Sequence, residues 1–114
     1  IHLASAKVDQ GSILHQLRPD IEVRDDLHSI GNKCILKAGE ILPEILRSYL
    51  DGKILPETQT SAGRLCRNKD LTPALLRAIY VNFKKGMIRE YLQNKKVRDD
   101  GKPIVERQTP NGKQ

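Results

Sequence analysis

Aromatic side chains are scarce in this sequence of 114 residues. It has no tryptophan, one phenylalanine and three tyrosines. A hydrophobic core must therefore consist mainly of isoleucine and leucine. A surface that binds nucleic acid by stacking bases on aromatic rings has little material here, because that mode needs several exposed rings.

Cysteines and long apolar runs are also few. Cys34 and Cys66 have no second cysteine at the spacing of a metal site or a redox pair, which favours a reducing compartment. No run approaches the roughly 20 apolar residues that cross a bilayer, and no signal peptide is recognisable. We therefore expect a cytoplasmic protein without a membrane segment.

The net charge of +6 is unevenly distributed. Residues 1–56 hold seven basic and eight acidic groups, and residues 57–114 hold thirteen and six. An excess of cations in one half predicts an anionic partner, such as tRNA, a nucleotide-linked sugar or a phosphate. Solvated helices rich in lysine would give the same asymmetry.

Two short apolar runs begin the sequence, at residues 1–4 and 12–16, on either side of a polar loop with Asp9 and Gly11. Such runs around a glycine-containing break predict a β-hairpin. The loop then offers a carboxylate beside a glycine that lets the backbone approach a ligand. An ordinary Asp-x-Gly turn gives the same pattern.

A long helix is predicted after Asp25 or Asp26, either of which suits its N-cap, with its end at Gly52. Pro43 inside it is expected to cause a kink or a restart. Apolar positions three or four apart define the buried stripe: Leu27, Ile30, Cys34, Ala38, Ile41 and Ile45, widened by Leu42, Leu46 and Tyr49.

Residues 53–70 read as an irregular connection with short strands. Arg64 and Arg67 lie here, and their guanidinium groups are suited to the phosphate of an acceptor substrate. A charged edge strand is the alternative. Thr72-Pro73 then predicts the start of a second helix, and the polar composition from Val97 onward predicts a flexible tail.

The opening motif resembles the formyltransferase family that uses 10-formyltetrahydrofolate. That family carries a Thr-x-His strand, a loop ending in Asp-x-Gly and a Pro-Ile-x-x-Gln strand. The resemblance covers about residues 1–70. The matching residues are His2, Asp9, Gly11, Ile13 and Gln16, then Leu50-Asp51-Gly52, Pro56 to Gln59 and Gly63-Arg64-Leu65.

The resemblance implies an α/β fold, namely the C-terminal portion of a Rossmann-like formyltransferase domain with a β-hairpin, a long helix, an irregular connection and a second helix. Residues 1–70 would end the catalytic domain, 71–96 form the C-terminal helix and 97–114 the flexible tail. The family's Asn-x-His pair is absent from the sequence. The resemblance therefore implies a fragment that is inactive alone and whose missing pair lies upstream of Ile1.

The resemblance also implies roles for individual residues. Asp9 would be catalytic: it would orient a histidine, keep it charged and relay a proton through water. The backbone of Lys7, Val8 and Gly11 would line the pterin pocket, and His2 would support the loop by hydrogen bonding. The acceptor amine would belong to a nucleotide-linked amino-sugar or to an aminoacyl-tRNA.

Two other functions remain open. A small basic module could bind nucleic acid through residues 64–96, with an affinity that falls as salt rises. A structural piece could form a homodimer through its two helices.

Overall fold

The computed structural model describes residues 1–7, 9–60 and 63–107. Four α-helices lie in this part: α1 at Leu27–Leu50, α2 at Pro73–Lys84, α3 at Met87–Gln93 and α4 at Lys95–Asp100. A 3-10 turn at Asn68–Asp70 precedes α2. None of the described helices has the length and apolar character needed to cross a membrane.

The α/β prediction is wrong, and so is the Rossmann-like architecture. Of the described residues, 50% are helical and 3% are in strands, and they form no sheet. The predicted hairpin is reduced to isolated antiparallel bridges, His2 with Ile13 and Ile13 with Glu57. Its apolar runs are too short for a ladder, and Pro19 and Pro56 remove backbone donors from the other predicted strands. The extended segments therefore pair only locally.

Asp26, one of the two residues predicted as N-cap, caps helix α1. The Asp26 carboxylate accepts from the Ser29 backbone N–H at 2.9 Å, and the Ser29 hydroxyl oxygen accepts from the Asp26 N–H at 2.8 Å, which forms a capping box. The preceding Asp25 is buried, and a hydrogen bond from Lys33 lowers its carboxyl pKa to about 2. These contacts fix where the helix starts.

Helix α1 continues through Pro43 to Leu50, so the predicted restart does not occur. Gly52 follows in the left-handed region, with φ 70°, as a glycine after a helix end often does. The inner face of α1 buries Ile45 and Ser48. Its outer face carries exposed apolar side chains, so the predicted widening of the stripe is wrong at two of its positions: Leu42 and Leu46.

Thr72 caps α2, since its hydroxyl oxygen accepts from the Leu75 N–H at 3.1 Å, and Pro73 is the first helical residue. The helix predicted at residues 71–96 is interrupted at Gly86, although an apolar stripe from Leu76 to Tyr91 continues across this position. This residue has φ 94°, a conformation that only glycine adopts readily, and the chain turns there into α3.

The N-terminal segment 13–18 connects the other parts of the molecule. Gln16 forms two hydrogen bonds with Val105, and Lys37 of α1 donates to the Arg18 carbonyl at 2.7 Å. The Arg107 side chain donates to the Leu14 carbonyl at 3.1 Å. The first part of the predicted tail is thus hydrogen-bonded to the start of the chain, and its residues 108–114 lie outside the described residues.

Candidate active site

Asp9 lies in a tight turn between the two opening segments. The Gln10 N–H donates to the Lys7 carbonyl at 3.4 Å, and the Ser5 hydroxyl donates to the same oxygen at 2.6 Å. Asp9 has φ 57°, in the left-handed region that aspartate tolerates better than most residues. The turn therefore presents the carboxylate outward.

His2 contacts the Asp9 carboxylate from the neighbouring segment. Its Nε2 lies 3.5 Å from Asp9 Oδ1, and its Nδ1 lies 2.9 Å from the Leu3 carbonyl oxygen. A carbonyl only accepts, so Nδ1 carries a proton, and Nε2 pairs with the carboxylate as an ion when the ring is doubly protonated. The Asp9 side chain is 77% exposed, so the pair orients the groups more than it stabilises the fold.

Gln59 reaches the Asp9 turn from the connection after α1. Its side-chain amide donates to the Asp9 carbonyl at 2.8 Å and to the Gly11 carbonyl at 2.7 Å. Two hydrogen bonds between Ile13 and Glu57, at 2.7 and 2.8 Å, set the register that brings Gln59 there. The resemblance includes Gln59 in its motif, but the sequence pattern gives no sign of this contact.

Gly11 is buried where the loop returns to the first segment. A Cβ at this position would overlap the Leu3 carbonyl oxygen. The Leu3 N–H also donates to the Ser12 carbonyl at 2.9 Å. The glycine therefore permits close approach of two backbone segments of the chain itself, a contact that the Asp-x-Gly pattern does not reveal.

The remaining predicted site residues are dispersed. Lys7 is exposed, and Val8 lies outside the described residues. Arg64 and Arg67 are exposed in the irregular stretch before the 3-10 turn. Within the described part, no hydrogen bond or ion pair joins either guanidinium group to the Asp9 loop.

The structure thus brings three of the predicted site residues, His2, Asp9 and Gly11, together with Gln59, and we name these four residues the Asp9 loop cluster. Its chemistry is that of an exposed carboxylate held beside an imidazole, which can accept a hydrogen bond or stabilise a nearby cation. Comparison of the chain with protein-family models, curated proteins and solved structures found no match. Function is therefore inferred from this cluster and the opening motif.

Proposed function

We propose that the Asp9 loop cluster takes part in formyl transfer from 10-formyltetrahydrofolate to an amine. The convergence of three residues of the opening motif with Gln59, which also belongs to the resemblance, supports this proposal. Gln59 is 50 positions from Asp9, yet its amide contacts both ends of the Asp-x-Gly turn. These two hydrogen bonds fix the position of the turn that presents the Asp9 carboxylate.

In formyl transfer, the amine nitrogen attacks the formyl carbon and the bond from that carbon to the folate nitrogen breaks. The proton that the amine loses is delivered to the leaving folate nitrogen. Negative charge develops on the formyl oxygen between these events, and a nearby imidazolium stabilises it. A carboxylate beside an imidazole favours the charged ring, and in our proposal Asp9 has this role toward the active-site histidine that the resemblance implies, not toward His2.

The chain supplies only the carboxylate part of this centre. The asparagine and histidine that the resemblance adds to it have no Asn-x-His counterpart in the sequence. The Asp9 side chain is 77% exposed, so its carboxylate is an acceptor that the loop offers to the donor substrate.

The acceptor is proposed to be an amino-sugar linked to a nucleotide, or an aminoacyl-tRNA. Arg64 and Arg67 are exposed, and their guanidinium groups form no ion pair within the described residues. Such groups bind phosphate through paired hydrogen bonds. They therefore suit the anionic part of either acceptor.

The proposal is tested by titrating the full chain with 5-formyltetrahydrofolate, a chemically stable formyl-folate, while amide NMR shifts are recorded. We expect shifts at His2, Asp9, Gly11 and Gln59. Loss of one hydrogen bond to a charged group typically weakens binding about tenfold or more, so Asp9→Asn is expected to raise the Kd by this factor.

Asp20→Asn is the matched control. Asp20 is also exposed and the charge change is the same, but its carboxylate lies 3.8 Å from Lys37 on α1 and belongs to no motif. Its Kd should equal that of the unchanged chain. Absence of shifts at millimolar ligand, or equal affinity of Asp9→Asn and the unchanged chain, would refute the proposal.

A further inference from the structure

A cleft of about 580 Å³ lies between residues 18–21 and the helices α3 and α4. A second cavity of about 260 Å³ shares three of its residues: Ile21, Tyr91 and Arg98. Binding sites for small molecules usually measure about 300–1,000 Å³. The two cavities together, which we name the α3–α4 cleft, have the size of a site for a small organic ligand.

The walls of the α3–α4 cleft are mainly apolar. Pro19 and Ile21 form one side, and Tyr91 and Val97 form the other. Val97 is 76% exposed, although it is a residue type that usually packs against others. An apolar ligand body would therefore remove from water a surface that the chain itself leaves uncovered.

Asp99 contacts residues of both walls of the cleft, and each of its two carboxylate oxygens has a partner. Its Oδ1 accepts from the Tyr91 hydroxyl at 3.3 Å and lies 3.6 Å from the Arg18 guanidinium, and its Oδ2 accepts from Lys95 at 2.5 Å. The hydrogen bond from Lys95 lowers the pKa of the Asp99 carboxyl, so it stays ionised. The positive charges of Arg18 and Lys95 thus balance the negative charge of Asp99.

Arg98 and Lys102 also line the cleft, and their charges are not balanced in this way. Among the described residues, neither side chain has an ion pair or a hydrogen bond. Arg18 donates to the Lys102 carbonyl, which anchors the backbone beside these two cations. Glu90 lines only the smaller cavity, so an anionic group is favoured at the Lys102 end.

We propose that the α3–α4 cleft binds a small amphiphilic anion. Its apolar, preferably aromatic, body lies against Ile21, Tyr91 and Val97, and its single anionic group lies between Arg98 and Lys102. A guanidinium group matches the paired oxygens of a carboxylate, sulfonate or phosphate, and an ammonium adds a second point charge. This site is separate from the Asp9 loop cluster and does not depend on the proposed formyl transfer.

The test compares two fluorescent probes with nearly the same body. One is 8-anilinonaphthalene-1-sulfonate, which is anionic, and the other is N-phenyl-1-naphthylamine, which is neutral. We expect the double variant R98Q/K102Q to raise the Kd of the anionic probe about tenfold, because two charge-assisted contacts are lost. The Kd of the neutral probe should not change.

The matched control is K84Q/K85Q at the end of α2. This control also removes two positive charges, but from exposed positions that do not line the cleft. It should leave the Kd values of both probes unchanged. The proposal is overturned if R98Q/K102Q binds the anionic probe as the unchanged chain does, or if the control weakens that binding equally.

Discussion

His15 is the most deeply buried of the three histidines, with 2% of its surface exposed. Its Nδ1 accepts a hydrogen bond from the Arg107 backbone N–H at 3.0 Å. Burial lowers the pKa of the His15 imidazole below its usual 6.5, and only nearby Glu106 acts in the opposite direction. The ring is thus held neutral, because a protonated Nδ1 would lose its bond.

Because its pKa is lower in the folded chain, His15 contributes stability that is complete above pH 6.5 and is lost as the pH falls toward the folded pKa. The unfolded chain binds the proton first, so the free energy of unfolding should fall by up to about 1.4 kcal/mol per pH unit in this range. Urea unfolding between pH 7.5 and 5 measures this slope.

His15→Asn should reduce that slope, because an amide oxygen can replace Nδ1 as an acceptor but does not titrate. His28→Asn is the control, since His28 is exposed and its Nε2 lies 3.4 Å from the Tyr80 hydroxyl. Equal slopes in His15→Asn and in the unchanged chain would contradict the assignment.

At the scale of the elements, α1 has two apolar faces with different environments. Ile45 is fully buried on the inner face, whereas Ile35 is 71% exposed on the outer one. Ile45→Ala should lower the free energy of unfolding by about 2–5 kcal/mol, because it leaves a cavity that the structure fills only in part. Ile35→Ala should change it by no more than about 0.5 kcal/mol.

Chemical denaturation at pH 7 measures both values. The pair is matched, since the same atoms are deleted from the same helix. A comparable loss of stability in the two variants would mean that the outer face of α1 is covered in solution, and would contradict the packing described above.

The sequence predicted those parts of the fold that depend on local contacts. An N-cap at Asp25 or Asp26, the start of α2 at Thr72 and a buried stripe that includes Ile45 all follow from spacing and capping chemistry, and the structure selects Asp26. The outer apolar face of α1 misled the prediction, because periodicity shows where apolar residues align but not which of two apolar faces is covered. The break at Gly86 was missed for a similar reason, since the stripe continues across it.

The candidate site was predictable only in part. The spacing of His2, Asp9 and Gly11 predicted a loop that offers a carboxylate beside a glycine open to a ligand. In the structure the Asp9 carboxylate is exposed, and Gly11 permits the close approach of the chain's own Leu3 backbone. The contact of Gln59 with this loop depends on the bridge between Ile13 and Glu57, and the hydrogen bonds of Arg107 join the two ends of the chain. Pairings of such long sequence separation leave no local pattern. The predicted sheet failed for the converse reason, because short apolar runs form strands only where neighbouring strands complete the ladder.

At the scale of the whole molecule, the fold buries little apolar surface. The buried hydrophobic side chains among the described residues are Leu14, Ile45 and Ile88, of which Ile45 alone is fully buried. The chain exposes 9093 Å², whereas a compact protein of 12.9 kDa exposes about 6,300 Å² and its unfolded chain about 18,700 Å². Folding thus removes from water about three quarters of the surface that a compact protein of this size removes.

Since the heat capacity of unfolding follows the surface that unfolding exposes, it should be reduced in proportion. A domain of this length ordinarily shows about 1.4–1.7 kcal/mol/K, and we expect about 1.1–1.3 kcal/mol/K here. Differential scanning calorimetry over a range of pH values measures this heat capacity of unfolding.

The heat capacity of unfolding should stay constant over a tenfold range of protein concentration if a single chain is the folding unit. A value at or above about 1.6 kcal/mol/K would mean that the outer face of α1 is buried in solution. A rise with concentration would assign that burial to a second copy of the chain, because association adds interface area to the surface that unfolding exposes.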